Sequence, residues 1–158
     1  MNEQFSITQI IQLILAPAVM INATGLLLLT VSNKYSLILN RIRLLNEEKR
    51  RLAKRAAETS FSTDDNQRLE SVLRQVGELT RRSRMVRNAN VCYFSAIGIF
   101  VATSLALGVD LILTAIDLQP FLLTVFLLGM TVDLIGVVYS GLDTLRAYAV
   151  VKFEVEAD

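Results

Sequence analysis

The chain has no histidine, one cysteine, two prolines and seven glycines in 158 residues. Without histidine it lacks the commonest metal ligand and the commonest general base. The lone Cys92 excludes an internal disulfide and reads as a small packing residue on a reducing side of a membrane. No phosphate loop, dinucleotide fingerprint, zinc motif or Ser/His/Asp set occurs. The expectation is a protein that is not an enzyme and holds no metal or cofactor. Positive charge is also scarce over long stretches: of 16 Lys and Arg, 14 lie between Lys34 and Arg87, leaving only Arg146 and Lys152 elsewhere.

What fills the uncharged stretches is apolar. Ile7 to Val31, Ala89 to Ile116 and Phe121 to Leu142 are each long enough to cross a bilayer core, which takes about 20 residues of helix. The pattern predicts an all-α membrane protein of one domain, with spans over 7–31, 89–116 and 121–142. The first run has no basic flank, is too long for a signal core and carries Asn22 and Thr24, so it is expected to stay as a span. The positive-inside rule then sets the topology. The segment 32–88 carries 14 basic and seven acidic residues, a local net of +7, and is expected in the cytoplasm. The N-terminus and the link around Asp117 to Pro120 hold no basic residue and are expected outside; the tail 143–158 returns inside.

The basic segment has its own order. Tyr35, Ile38, Ile42, Leu45, Lys49, Leu52 and Ala56 recur at steps of three and four, as do Leu69, Val72, Val76, Leu79, Ser83 and Val86. These spacings predict a cytoplasmic antiparallel helical hairpin, a coiled coil whose arms continue the first two spans. Ser62 and Asp65 form a capping pattern for the second arm, and Gly77 is its only breaker. Each arm has about 25 residues and so reaches roughly 35–40 Å. Leu37, Leu39 and Leu44 add apolar surface outside the seam, suited to a neighbouring subunit's arm or a cytoplasmic partner. Of the basic residues, Arg81, Arg82, Arg84 and Arg87 sit where anionic headgroups would meet them. The cluster Lys49 to Arg55 has no interleaved aromatics, which disfavours nucleic acid as its ligand.

Polar residues inside the spans are the candidate functional positions. Pro17 is expected to bend the first span, and Asn22 needs a protein partner because lipid offers none. Ala18, Asn22, Gly25 and Leu29 share one face, expected to point at other helices. On the second span Ser95, Gly98, Ala102, Ala106 and Asp110 form a stripe; on the third, Gly129, Asp133, Gly136, Ser140 and Asp143 do the same. Small residues at this spacing let helices approach closely. Asp133 lies near mid-bilayer, where a carboxylate costs about 3 kcal/mol unless protonated, paired or hydrated. With no Lys or Arg in any span, its candidate partners are Asn22, a hydroxyl, a cation or water, and it is a candidate proton carrier. A protonated Asp133 acting as interhelical glue is the structural alternative. Asp110 and Asp117 sit near the outer mouth, where several copies would make an acidic ring. Asp143 is placed to pair with Arg146 one turn on. Two intramembrane aspartates also suggest an aspartyl protease, but its Gly-x-Gly-Asp signature is absent; Gly108-Val109-Asp110 does not match it.

Ala16-Pro17-Ala18-Val19, Gly25-Leu26-Leu27, Asn40-Arg41-Ile42-Arg43 and Arg81-Arg82-Ser83-Arg84, followed by two apolar runs, give the chain a familiar order. Along essentially its whole length it resembles a bacterial membrane family known as domain of unknown function 2721. The resemblance implies a bacterial plasma-membrane location and no activity or cofactor. In layout it is also similar to membrane insertases with a cytoplasmic coiled coil after the first span, although those place a cation in the membrane groove. Proton-channel subunits of the ExbB and TolQ type share three crossings and line a ring's pore with helices two and three. Three expectations follow: a homo-oligomeric cation- or proton-conducting module, a scaffold whose hairpin binds a cytoplasmic partner, or an insertase-like chaperone.

Overall fold

Long helices follow from the near-absence of breakers. The computed structural model consists of α1 (Ile7–Glu58), α2 (Thr63–Leu113) and α3 (Gln119–Val155). It describes the backbone of 7–58, 63–113 and 119–155, and the side-chain surroundings of 15–56, 64–110 and 120–146. Ser62, of the expected capping pair, and Asp117 lie outside the described residues. α1 continues through Pro17 and α2 through Gly77, so each spans an apolar run and a basic arm without interruption. At 1.5 Å per residue, the 52 residues of α1 extend about 78 Å. Each helix contains a stretch long and apolar enough to cross a membrane.

Neighbours in sequence pack antiparallel. Ser32 meets Asn90 and Glu48 meets Arg68, so α1 descends as α2 rises. Tyr93 lies against Gly136 and Phe100 against Gly129, which sets α3 antiparallel to α2. α2 is the central element. α1 and α3 hardly touch, and among the described residues the polar side-chain contacts that join them are those of Lys34 with Asp143 and Thr144.

Burial follows a seven-residue period from the apolar runs into the arms. Among the described residues, the buried ones of α1 are Pro17, Thr24, Val31, Ile38, Leu45 and Leu52, each seven after the last. On α3 they are Leu122, Gly129, Gly136 and Asp143. On α2 two such rows interleave, Val86–Tyr93–Phe100 and Ala89–Ala96–Thr103, with Val72 further down the arm. A 3.5-residue repeat keeps one seam facing its partner over this length when the helices wind left-handed. The arm cluster is Leu45, Leu52 and Val72, flanked by Leu69, Val76 and Leu79. Of the expected seam, Lys49 and Ala56 are exposed. Large apolar side chains point outward along the spans, among them Leu26, Phe94, Leu105, Leu123 and Leu134. Contiguous exposure of this kind suits lipid rather than water.

Among the described residues one ion pair links the arms: Arg68 Nε lies 2.7 Å from Glu48 Oε1. The hydrogen bond from Arg68 holds the Glu48 carboxyl below its ordinary value of 4.5. The folded state therefore binds that proton less tightly than the unfolded one. Its contribution is present at neutral pH and is lost as pH falls through the lowered value. The pair is exposed, so the effect is small and screened by salt. Glu48→Gln is expected to remove this acid sensitivity from thermal unfolding of the arms, followed by circular dichroism; an unchanged acid limb would show that the pair contributes nothing.

Candidate functional site

Two polar layers cross the helices. The first lies where the arms meet the apolar runs and is built on Asp143, which is fully buried. Its position in the row Leu122–Gly129–Gly136–Asp143 aims it into the seam with α2. Lys34 Nζ on α1 lies 2.7 Å from Asp143 Oδ2, and Arg82 Nε on α2 lies 3.3 Å from Oδ1. Lys34 also donates a hydrogen bond to Thr144 Oγ1 at 3.1 Å, and its approach to Oδ2 is an ion pair without hydrogen-bond alignment. One carboxylate thus joins all three helices. The partner expected for Asp143, Arg146, instead donates to Met85 Sδ at 3.3 Å. The reason is helical geometry: Asp143 falls on the buried seam, whereas Arg146 is exposed.

The second layer lies deeper in the apolar runs. Gly129 against Phe100 and Gly136 against Tyr93 place Asp133 level with Ala96, which is fully buried. The Ser32–Asn90 contact places Thr24 of α1 within about a turn of the same level. Asp133 Oδ1 and Thr24 Oγ1 are both buried without a hydrogen-bond partner among the described residues. Thr24 is unusual among the described span threonines. Thr30, Thr103, Thr124 and Thr131 each donate to the carbonyl four residues earlier at 2.8–2.9 Å. Thr24, with no exposed surface, does not. Tyr93 closes the layer toward the arms, with Ser140 beside its hydroxyl and Asp133 nearby.

Other expected positions stand apart. Asn22 faces away from the rest of the chain and does not meet Asp133 in a hydrogen bond, because it lies nearly half a turn round α1 from the row containing Thr24. Asp110 is half-buried in α2. Gly98 and Ala102 are exposed, and nothing lies within 4 Å of a Cβ added at Gly98, so that stripe packs against nothing in its own chain. Gly129 and Gly136 are closely packed: an added Cβ would stand 2.8 Å from Phe100 Cε1 or 2.9 Å from Tyr93 Cε1. These are ring atoms within the seam, with little freedom to yield. Gly136→Val is expected to cost about 1–3 kcal/mol by overpacking, read as unfolding in mixed micelles. Gly141→Ala, at an open helical position, is the control expected to cost no stability and to gain up to about 1 kcal/mol from helix propensity. Arg81, Arg84 and Arg87 are exposed, while Arg82 leaves that group to hold Asp143.

Sequence reasoning named Thr24 only as a polar residue of the first span and gave Lys34 and Tyr93 no role at a site. The signal for Thr24 was present in its place in the row Pro17–Thr24–Val31–Ile38. Lys34 needed the α1–α3 contact, which no local pattern announces.

Three antiparallel helices, each able to cross a membrane and joined by ion pairs to the buried Asp143, define a helical protein of membrane type. The model of the family described as a protein of unknown function, DUF2721, matches residues 14–153, nearly the whole chain, and the chain belongs to that family. No curated protein and no solved structure matches it.

Proposed function

We propose that this protein is a subunit of a homo-oligomeric bacterial plasma-membrane module that conducts protons or small cations, with Asp133 as the mid-membrane binding group. The carrying observation is the pair of buried oxygens without partners, Thr24 Oγ1 and Asp133 Oδ1, at about the same depth. Buried polar atoms are almost always satisfied. A carboxyl and a hydroxyl with spare capacity in hydrocarbon are suited to exchanging a proton or holding a hydrated cation. Asp133 lies ten residues from Asp143, about 15 Å along the helix, and so near the middle of a core about 30 Å thick. Three helices are too few to enclose a hydrated path alone, and several copies would supply the missing walls. The charge bias argues for an outside N-terminus, cytoplasmic arms and a cytoplasmic C-terminus. Ion flux in proteoliposomes, wild type against Asp133→Asn, tests the proposal.

A second reading is a scaffold whose coiled-coil arms bind a cytoplasmic protein. Its support is the apolar surface on the arms: Leu37 is 70% exposed, Leu44 57% and Leu73 46%. Absence of flux under every gradient, together with specific capture of a partner by the arms, would favour it over conduction.

A further inference from the structure

Asn22 carries a side-chain amide on the outward face of α1, ten residues past the Ser32–Asn90 contact and therefore about 15 Å into the apolar run. Hydrocarbon offers an amide no hydrogen bond, so protein must cover it. Within its own chain it is exposed and has no side-chain hydrogen bond among the described residues. Its neighbours on that face are Ala18 and Gly25, small enough for another helix to come close.

A face able to receive it lies on α2. Ser95, Gly98 and Ala102 are all exposed, and the space around Gly98 is open to 4 Å. Gly98 lies eight residues past Asn90, about 12 Å along α2, so its depth differs from that of Asn22 by about 3 Å. Bare backbone at Gly98 leaves carbonyls approachable, and the Ser95 hydroxyl can donate or accept. The two faces cannot meet in one chain. Asn22 is exposed on α1 outside the row that packs on α2, and Gly98 is exposed with nothing of its own chain within 4 Å of an added Cβ.

We infer that copies of this chain associate head to tail, the Asn22 face of α1 in one copy seated on the Ser95–Gly98–Ala102 face of α2 in the next. Rotation about the membrane normal preserves depth, so each copy offers one face and receives the other at the same level. The contact is heterologous and generates a ring when the rotation closes. It rests on the homo-oligomer proposed above and names its faces.

The test is disulfide trapping in native membranes, in a Cys92→Ser background. Asn22→Cys with Gly98→Cys in one chain is expected to give a ladder beyond dimer on mild oxidation, and each single variant only monomer. Co-expression of the two single variants with different tags is expected to give a mixed dimer. Asn22→Leu is expected to weaken association about tenfold, the size of one intramembrane hydrogen bond, as read by single-molecule subunit counting in vesicles. Crosslinking of the Asn22→Cys single variant to itself would overturn the arrangement in favour of a two-fold contact. No disulfide ladder, with subunit counting still showing oligomers, would overturn these faces while leaving oligomerisation standing. Monomers by both measures would overturn this inference and the oligomer beneath it.

Discussion

Asp143→Ala is expected to be among the most destabilising single changes in this chain. Its carboxylate is fully buried between Lys34 and Arg82, whose side chains remain 32% and 26% exposed. Removing one member of a buried ion pair costs roughly 3–5 kcal/mol, because the remaining charge is left uncompensated. Here water reaches both cations, so the expected loss is about 3 kcal/mol, the lower end of that range. Lys34→Met should cost about 1.5 kcal/mol, because Arg82 still faces the carboxylate while the ion pair and the exposed hydrogen bond to Thr144 are lost. The two effects should not add, since both substitutions break the same contact. Unfolding in mixed micelles, as a double-mutant cycle, measures all three quantities. A loss for Asp143→Ala within about 0.5 kcal/mol of zero, the range of an ordinary surface change, would show that the cluster does not hold the helices together.

The position of this cluster gives it a second consequence. α1 and α3 meet through Lys34, and α2 touches both. Without Asp143 the third helix keeps its seam with α2, built on Gly129, Gly136, Tyr93 and Phe100, and only the exposed Lys34–Thr144 hydrogen bond toward α1. Spectroscopic distances between labels on α1 and α3 should broaden in Asp143→Ala, while distances between α1 and α2 stay narrow.

Asp133→Asn is expected to lower flux by at least about tenfold if the carboxyl is the binding group, a loss of about 1.4 kcal/mol or more in the rate-limiting step. The substitution keeps size and hydrogen bonding while removing the exchangeable charge, so the fold should persist and thermal unfolding should move little. Asp133→Glu should retain part of the flux, since the carboxyl survives on a longer stem. Thr24→Val, which removes the hydroxyl at nearly constant volume, should give an intermediate loss. Equal flux in wild type and Asp133→Asn would make Asp133 a structural residue. Flux in neither, across proton, Na⁺, K⁺ and Ca²⁺ gradients, would move the weight to the scaffold.

Three helices, their antiparallel order and the apolar stretches could be read from sequence because each rests on a local or periodic cause. Uncharged runs of bilayer length and the scarcity of Pro and Gly dictate long apolar helices. The steps of three and four in the arms dictate a seam, and Ile38, Leu45, Leu52 and Val72 are buried along it. Family membership was legible for a related reason, since the pattern extends over nearly the whole chain.

Tertiary structure decided which polar residues face one another. Asp133 and Asn22 both interrupt apolar runs and look alike in sequence, yet one has an oxygen buried at the level of Ala96 and the other faces outward. Their difference is rotation about a helix axis, set by which row of seven packs on α2. The partner of Asp143 turned on the same point. Arg146 is near in sequence, but Lys34 and Arg82, 109 and 61 residues away, are near in space because two helix reversals bring them there. Spacing along a chain determines which residues share a face; only packing against other helices determines what that face meets.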